Sequence, residues 1–191
     1  TLGQEIKAGG NRRVALMGIL DVNHPELFNF ITVKLDKKQL NNFNISVAIT
    51  DRFIEACENA EEWYFTYNNK KYFIFDVETE GATHVIGAHD EEDARGRVRE
   101  HLLINPASEM TVIQRKVMAK DIWRKIWTSA VECGCPGIFN ISRTNSYNCI
   151  NYFEYLPGTN PCGEIPLPWY GNCCLGHVNL DQMLLPDNSD V

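Results

Sequence analysis

The sequence lacks any apolar run near the ~18 residues a membrane-spanning helix requires, and its start, TLGQEIKAGGNRR, has no apolar stretch of the kind a secretory signal carries. A membrane anchor is therefore not expected, and a reducing, cytoplasmic compartment is. Cysteine is scarce: seven thiols in 191 residues fall well below the ~8 to 10% of a secreted disulfide scaffold. Their number is odd, and no two stand at the CxxC spacing that structural zinc sites favour. There is no His-rich or carboxylate cluster able to house a di-iron centre, so no metal ligand is assigned. Positive charge is also in deficit. Eighteen Lys and Arg against 25 Asp and Glu leave a net charge of −7, the wrong sign for a protein that coats a nucleic-acid polymer. The basic pairs Arg12-Arg13 and Lys37-Lys38 would suffice for a small phosphorylated ligand, although solvated surface is their commoner use.

What is present is a core. With 44% apolar and 10% aromatic residues, the chain buries enough surface to fold without staples, and its length fits one domain. After a Gly-Gly turn, Val14 to Leu20 reads as a buried strand. His24-Pro25-Glu26 then opens a helix with Leu27, Phe28, Ile31 and Leu35 inward. A polar loop from Asp36 to Asn42 leads to the alternating strand Phe43 to Ile49 and a helix capped by Thr50 or Asp51, ending near Asn59. Trp63 to Tyr67 and Tyr72 to Val77, joined by Asn68-Asn69-Lys70, read as a hairpin, with Val85-Ile86 as a third strand and Glu91 to His101 as a helix turning Val98 and Leu102 inward. Apolar residues at three-to-four spacing predict the longest helix over Thr111 to Glu132, packing Trp123 and Trp127 into the core and ending at Gly134 and Pro136. A short strand, Gly137 to Ile141, follows. Alternating strands and helices imply an α/β protein with its active groups on loops at strand ends.

From Ser142 onward the periodicity fades into turn formers, aromatics and cysteines. In Thr159-Asn160-Pro161-Cys162-Gly163-Glu164, one thiol lies two residues from an amide and two from a carboxylate. In an extended or finger-like loop, alternation would turn Asn160, Cys162 and Glu164 to one side. After a Gly171-Asn172 turn comes Cys173-Cys174, leading into Leu175 to Leu180, which reads as a further strand containing His177. Bland readings compete: Cys57 is expected on the inner face of its helix, Cys133 and Cys135 pack at a helix end, and a lone thiol beside a Glu is usually inert. Cys133, Cys135, Cys173 and Cys174 also leave open a non-catalytic redox or zinc-binding module.

Four segments nevertheless occur together and in order. NPCGEIPL followed by CCLGHVNL resembles the catalytic subunit of ribonucleotide reductases, most like the adenosylcobalamin-dependent (class II) form. AGGNRRVALMGILDVNHPELFNFI, NNFNISVAITDRFIEA and DIWRKIWTSAVECGCPGIFNISRTN resemble the same family's glycine-rich segment, the stretch after its specificity loop, and the helix and strand before its finger loop. The resemblance implies part of a ten-stranded α/β barrel, with residues 1–63 as a barrel segment bearing the specificity loop. Residues 64–110 would be a small α+β insertion, and 111–191 a barrel segment bearing the catalytic finger loop. It implies reduction of ribonucleoside di- or triphosphates by thiyl-radical chemistry: Cys162 as the radical position, Glu164 as general base, and Asn160 as the donor that orients the substrate hydroxyls.

Counting back six residues from Asn179 places Cys173 where the resemblance implies the family's reducing cysteine, with Cys174 as the fallback. Its partner is expected upstream of the matched segments, so that this stretch alone is expected to be inactive. Lys37, Lys38 and Gln39 fall where the family senses an effector nucleotide. The implied cofactor is adenosylcobalamin. The implied partners are a ribonucleotide, a nucleotide effector, a thioredoxin-like reductant and the remaining segments of the reductase, with a homodimer also among the expectations and no membrane or nucleic-acid polymer. The alternative within the family is a large subunit taking its radical from an iron-containing partner.

Overall fold

The computed structural model describes residues 7–8, 12–13, 15–36, 40, 42–79, 82–102 and 109–183. In chain order the elements are β1 (Lys7–Ala8), β2 (Arg12–Arg13), β3 (Leu16–Asp21), α1 (Leu27–Thr32), β4 (Phe43–Ile49), α2 (Asp51–Glu58), β5 (Phe65–Tyr67), β6 (Lys70–Thr79), β7 (Ala82–Ala88), α3 (Glu91–Leu102), β8 (Thr111–Arg115), α4 (Ala119–Cys133), β9 (Gly137–Asn140), α5 (Ile141–Ser146), β10 (Gly158–Thr159) and β11 (Pro166–Leu167), followed by a 3-10 turn at Leu180–Met183. The Gly9-Gly10 turn, Val14 and the side chain of Leu102 lie outside the described residues.

Three parallel strands in the order β3-β4-β9 form the central sheet. Parallel neighbours need crossovers: α1 supplies the first, while α2, the small sheet and α4 intervene before β9. Among the described residues this sheet does not close into a barrel. One face of β4 turns Val47 and Ile49 into a core shared with Val22, Leu27, Ile31, Phe53, Ile122 and Ile126, all at most 3% exposed. Two polar bonds fix this packing. Buried Ser129 donates from Oγ to the Ile31 carbonyl at 2.8 Å, tying α4 to α1, and Trp63 Nε1 donates to the Val22 carbonyl at 3.3 Å. Thr50 caps α2, its hydroxyl accepting from Phe53 N–H at 3.2 Å.

A second sheet is antiparallel. β6 pairs with β7 along one edge and with β5 and then β8 along the other. Phe75, Val77, Ala88, Ala94, Val98 and Met110 make a separate small core beneath α3. Gly87 seats this sheet against the turn before α1, because a Cβ there would lie 2.5 Å from both Cβ and O of Pro25.

Several expectations need correction. Residues 111–115 are strand β8, not the first turns of a long helix, and α4 begins at Ala119. The β-branched run Thr-Val-Ile satisfies helical spacing equally well, but the open edge of β6 gives its backbone partners. Trp127 is 49% and Val131 85% exposed, so the buried stripe of α4 runs through Ala119, Ile122, Ile126 and Ser129; Trp123 touches Phe53, and Trp127 only leans edge-on against Trp123. Helix α1 stops at Thr32, whose hydroxyl bonds back to the Phe28 carbonyl at 3.0 Å, which leaves Leu35 outside the helix. No strand forms at 175–180, and His177 is exposed in irregular chain. Helix α5, six residues long, opens the segment read as turns, where no helix was expected.

Candidate active site

Strands β10 and β11 pair antiparallel, Gly158 opposite Leu167 and Thr159 opposite Pro166, and carry a tip of six residues, 160–165. The tip begins as a β-turn. Gly163 N–H donates to the Asn160 carbonyl at 3.0 Å, so Asn160, Pro161, Cys162 and Gly163 fill the four turn positions. The residue types suit them: Pro presets φ at the second position, and Asn and Gly are favoured at the first and fourth. Gly163 continues at φ +85°, a backbone conformation only glycine adopts freely.

This turn puts Cys162 at its outer corner. Cys162, Gly163 and Glu164 are exposed, and the Cys162 thiol is free. The expected alternation does not apply, because 160–163 is a reverse turn and not an extended strand. Asn160 is half-buried, and its Oδ1 accepts from Ile165 N–H at 3.1 Å and from Thr159 Oγ1 at 3.2 Å. A further bond from Asn160 N–H to the Ile165 carbonyl at 3.3 Å closes the base of the tip. With Oδ1 spent on the loop, what Asn160 has to offer a ligand is its Nδ2 donor pair.

The hairpin lies on the sheet face opposite the helices. Strand alternation puts Asn44, Ser46 and Ala48 on that face, with Met17, Ile19 and Asp21 beside them in register. Gly158 approaches so closely that a Cβ would stand 3.2 Å from Ile19 Cδ1, and Asn44 Nδ2 donates to the Pro161 carbonyl at 2.6 Å. The chain is led there by Asn145 of α5, which holds both backbone groups of Leu156: Nδ2 to the carbonyl at 3.0 Å, and Oδ1 from the N–H at 2.9 Å. Asn140 caps α5 through Arg143 N–H and donates to Asp51 at the start of α2, joining the carboxyl ends of β9 and β4. Burial, with the Asp21 carboxylate adding to it, pushes the Tyr155 phenol above its ordinary value.

Cys173 is half-buried and Cys174 exposed, in irregular chain; the turn before them lies at Trp169-Tyr170, closed by Gly171 N–H to the Pro168 carbonyl at 3.1 Å, and not at Gly171-Asn172 as expected, and both thiols are free. Lys37, Lys38 and Gln39 lie outside the described residues. Cys133 Sγ donates to the carbonyls of Ser129 and Cys135, each at 3.3 Å, and burial raises the Cys57 thiol pKa, with Glu58 adding to it. Among the described residues no three His, Cys, Asp or Glu groups gather as a metal site, and no helix is long and apolar enough to cross a membrane.

Sequence reasoning missed Asn44 and Asn145, whose partners lie 117 and 11 residues away; a lone Asn in a strand or short helix carries no local sign of a distant carbonyl. It also missed a cleft of about 750 Å³ at the carboxyl end of β3, where Asp21 and Asn23 face Tyr64, Tyr67, Lys70 and Lys71 of the β5–β6 hairpin.

The family model described as "Ribonucleotide reductase, barrel domain" matches residues 3–191. The vitamin B12-dependent ribonucleoside-diphosphate reductase of Thermoplasma acidophilum is 32% identical over 181 residues, which is 94% of this chain and 18% of that protein. Its namesake in Mycobacterium tuberculosis (strain H37Rv) is 30% identical over 186 residues, 97% of this chain and 21% of that protein. Ribonucleoside-diphosphate reductase subunit alpha of Chlamydia muridarum is 23% identical over 193 residues, 97% of this chain and 17% of that protein. The chain thus spans about a fifth of the length of the curated relatives it matches.

Proposed function

Since the chain belongs to the ribonucleotide reductase barrel-domain family, we propose that it is the part of a ribonucleotide reductase that carries the radical-bearing thiol and its general base, and that it converts ribonucleotides to deoxyribonucleotides when joined to the rest of the enzyme. The observation that carries this reading is the Asn160–Gly163 turn, which holds the Cys162 thiol at the solvent-facing corner of a hairpin laid across the open sheet face. The chain is read as part of a ten-stranded barrel, with residues 64–110 as an insertion to which β8 is added by its pairing with β6. Exposed Tyr147, Tyr152, Phe153, Trp169 and Tyr170 support incorporation in a larger body, because a self-contained domain rarely exposes so many aromatics in one stretch.

The chemistry runs through these side chains. Cys162 as thiyl takes the 3′ hydrogen of the ribose, Glu164 takes the 3′ hydroxyl proton, and the 2′ hydroxyl takes a proton from the reducing cysteine and leaves as water; the hydrogen held on Cys162 returns to C3′ at the end. Asn160 donates from Nδ2 to the substrate hydroxyls, an assignment its committed Oδ1 supports. Cys173, with Cys174 as fallback, and a second cysteine outside the matched segments supply two electrons and become a disulfide. A thioredoxin-like reductant then restores them. Lys37, Lys38 and Gln39 sense an effector nucleotide, and a homodimer is the working assembly.

The cofactor proposed is adenosylcobalamin, following the names of the relatives from T. acidophilum and M. tuberculosis; the same names favour diphosphate substrates. The tip fits such a group: Cys162 and Gly163 are exposed, and beyond the chain neighbours of Gly163 no atom lies within 4 Å of where its Cβ would stand, so this corner of the turn is open to approach. When bound, adenosylcobalamin supplies the one-electron chemistry that removes hydrogen from a thiol. In the full-length enzyme, Cys162→Ser abolishes ribonucleotide reduction with adenosylcobalamin, whereas Cys57→Ser leaves it near the parent rate. Turnover surviving in Cys162→Ser would defeat the reading.

A further inference from the structure

We infer that Asn44 is a positioning residue for the radical thiol, acting through the peptide group that precedes Cys162. The inference rests on the reading of Cys162 given above and adds to it the means by which the sulfur is held in place.

The bond from Asn44 Nδ2 to the Pro161 carbonyl, at 2.6 Å, is the one side-chain bond among the described residues that ties the tip of the hairpin to the central sheet. The carbonyl it grips belongs to the peptide unit joining Pro161 to Cys162. That unit is planar and rigid, so its orientation fixes where the Cys162 Cα, and hence the sulfur, stands. Proline holds one side of the unit at a preset φ, and the turn bond from Gly163 N–H to Asn160 O holds the other. Those internal bonds give the turn its shape but not its place above the sheet, which the contact of Gly158 with Ile19 sets only at the stem.

Asn44 stands on firm ground. It is the second residue of β4 and is paired in register with Met17 of β3. Its neighbour Phe43 is held twice, accepting from Lys34 Nζ at 2.6 Å through its carbonyl and donating to the Leu40 carbonyl at 3.0 Å, and Leu16 N–H donates to the Asn42 carbonyl at 2.9 Å. The Asn44 side chain itself is exposed and contributes no core packing. Its amide is thus dispensable for the fold and well placed for the tip, the pattern expected of a group kept for geometry. A near-attack arrangement tolerates little drift: a misplacement of about 1 Å can cost ~10²-fold in rate.

The test uses the full-length enzyme with adenosylcobalamin and compares Asn44→Ala, Asn44→Asp and Cys162→Ser. Asn44→Asp keeps the shape but puts an acceptor against the Pro161 carbonyl. Both Asn44 variants are expected to lose roughly tenfold in kcat, with KM within about twofold and an unchanged melting temperature. In cofactor-free protein, amide hydrogen exchange over residues 160–165 should rise severalfold while the β3, β4 and β9 amides stay protected. Parent-level kcat and unchanged exchange at the tip in Asn44→Ala would overturn the inference, as would a loss confined to KM. Turnover in Cys162→Ser would overturn the reading of the thiol instead, so the two failures are distinguishable.

Discussion

The seat of the small sheet against the turn before α1 is testable by one substitution made at two glycines with opposite expected signs. A Cβ added at Gly87, a buried residue of β7, would lie 2.5 Å from the Pro25 Cβ, 2.5 Å from the Pro25 carbonyl oxygen and 2.8 Å from its carbon. Two of those three atoms are backbone, so no side-chain rotation relieves the overlap, and β7 must move away from the turn before α1. Overpacking of this kind costs ~1 to 3 kcal/mol, and removing glycine from the unfolded chain returns at most ~1 kcal/mol. The net expectation for Gly87→Ala is a destabilisation of about 1 to 2 kcal/mol. Gly96 is the control: it is exposed in the middle of α3, and a Cβ there meets nothing within 4 Å. Gly96→Ala should stabilise by about 0.5 to 1 kcal/mol, since alanine gains helix propensity without a clash. Urea unfolding followed by tryptophan fluorescence, with buried Trp63 as an internal reporter, measures both. Equal shifts in the same direction, or a Gly87→Ala midpoint at or above the parent's, would refute the close approach.

Ser129→Ala should destabilise by ~1 to 3 kcal/mol in the same assay, because it leaves the buried Ile31 carbonyl without its donor; a change below a few tenths would mean the α1–α4 tie is idle. For His24, burial lowers the pKa from its ordinary 6.5, although Glu26 and Asp21 pull the other way. The Nδ1 atom accepts from Glu26 N–H at 3.1 Å and must be unprotonated to do so. The unfolded chain therefore binds the proton more readily, so this contribution to stability is present above pH 6.5 and is lost as pH falls through the folded value. The melting temperature should fall over that acid range in the parent and fall less in His24→Gln; identical profiles would contradict the assignment.

Much of the frame was legible because it rests on local patterns. The alternation of Phe43 to Ile49, the cap at Thr50 and the Asn-Asn turn before Lys70 each satisfy a rule within a few residues. The failures came where two local rules agree and a distant partner decides between them. Residues 111–115 fit a helix by spacing and a strand by β-branching, and the free edge of β6 settles the matter from 33 to 41 residues away. At Leu175 to Leu180 a strand-like composition found no partner strand among the described residues and stayed irregular.

The candidate site shows the same division. Asn160, Pro161, Cys162 and Gly163 occupy the four places of a β-turn that favours those residue types, so the tip's shape is written in four consecutive letters. The convergence expected from strand alternation rested on the wrong local geometry, yet the motif survives it. A reverse turn exposes the thiol more fully than a strand would and spends the Asn160 oxygen on holding the loop. Placement over the sheet is a different matter. Asn44 and Asn145 act across the chain, and nothing within either one's neighbourhood announces it. A turn motif can therefore be recognised wherever it occurs, but its place above the sheet is set by remote amides, and those amides are read from the fold.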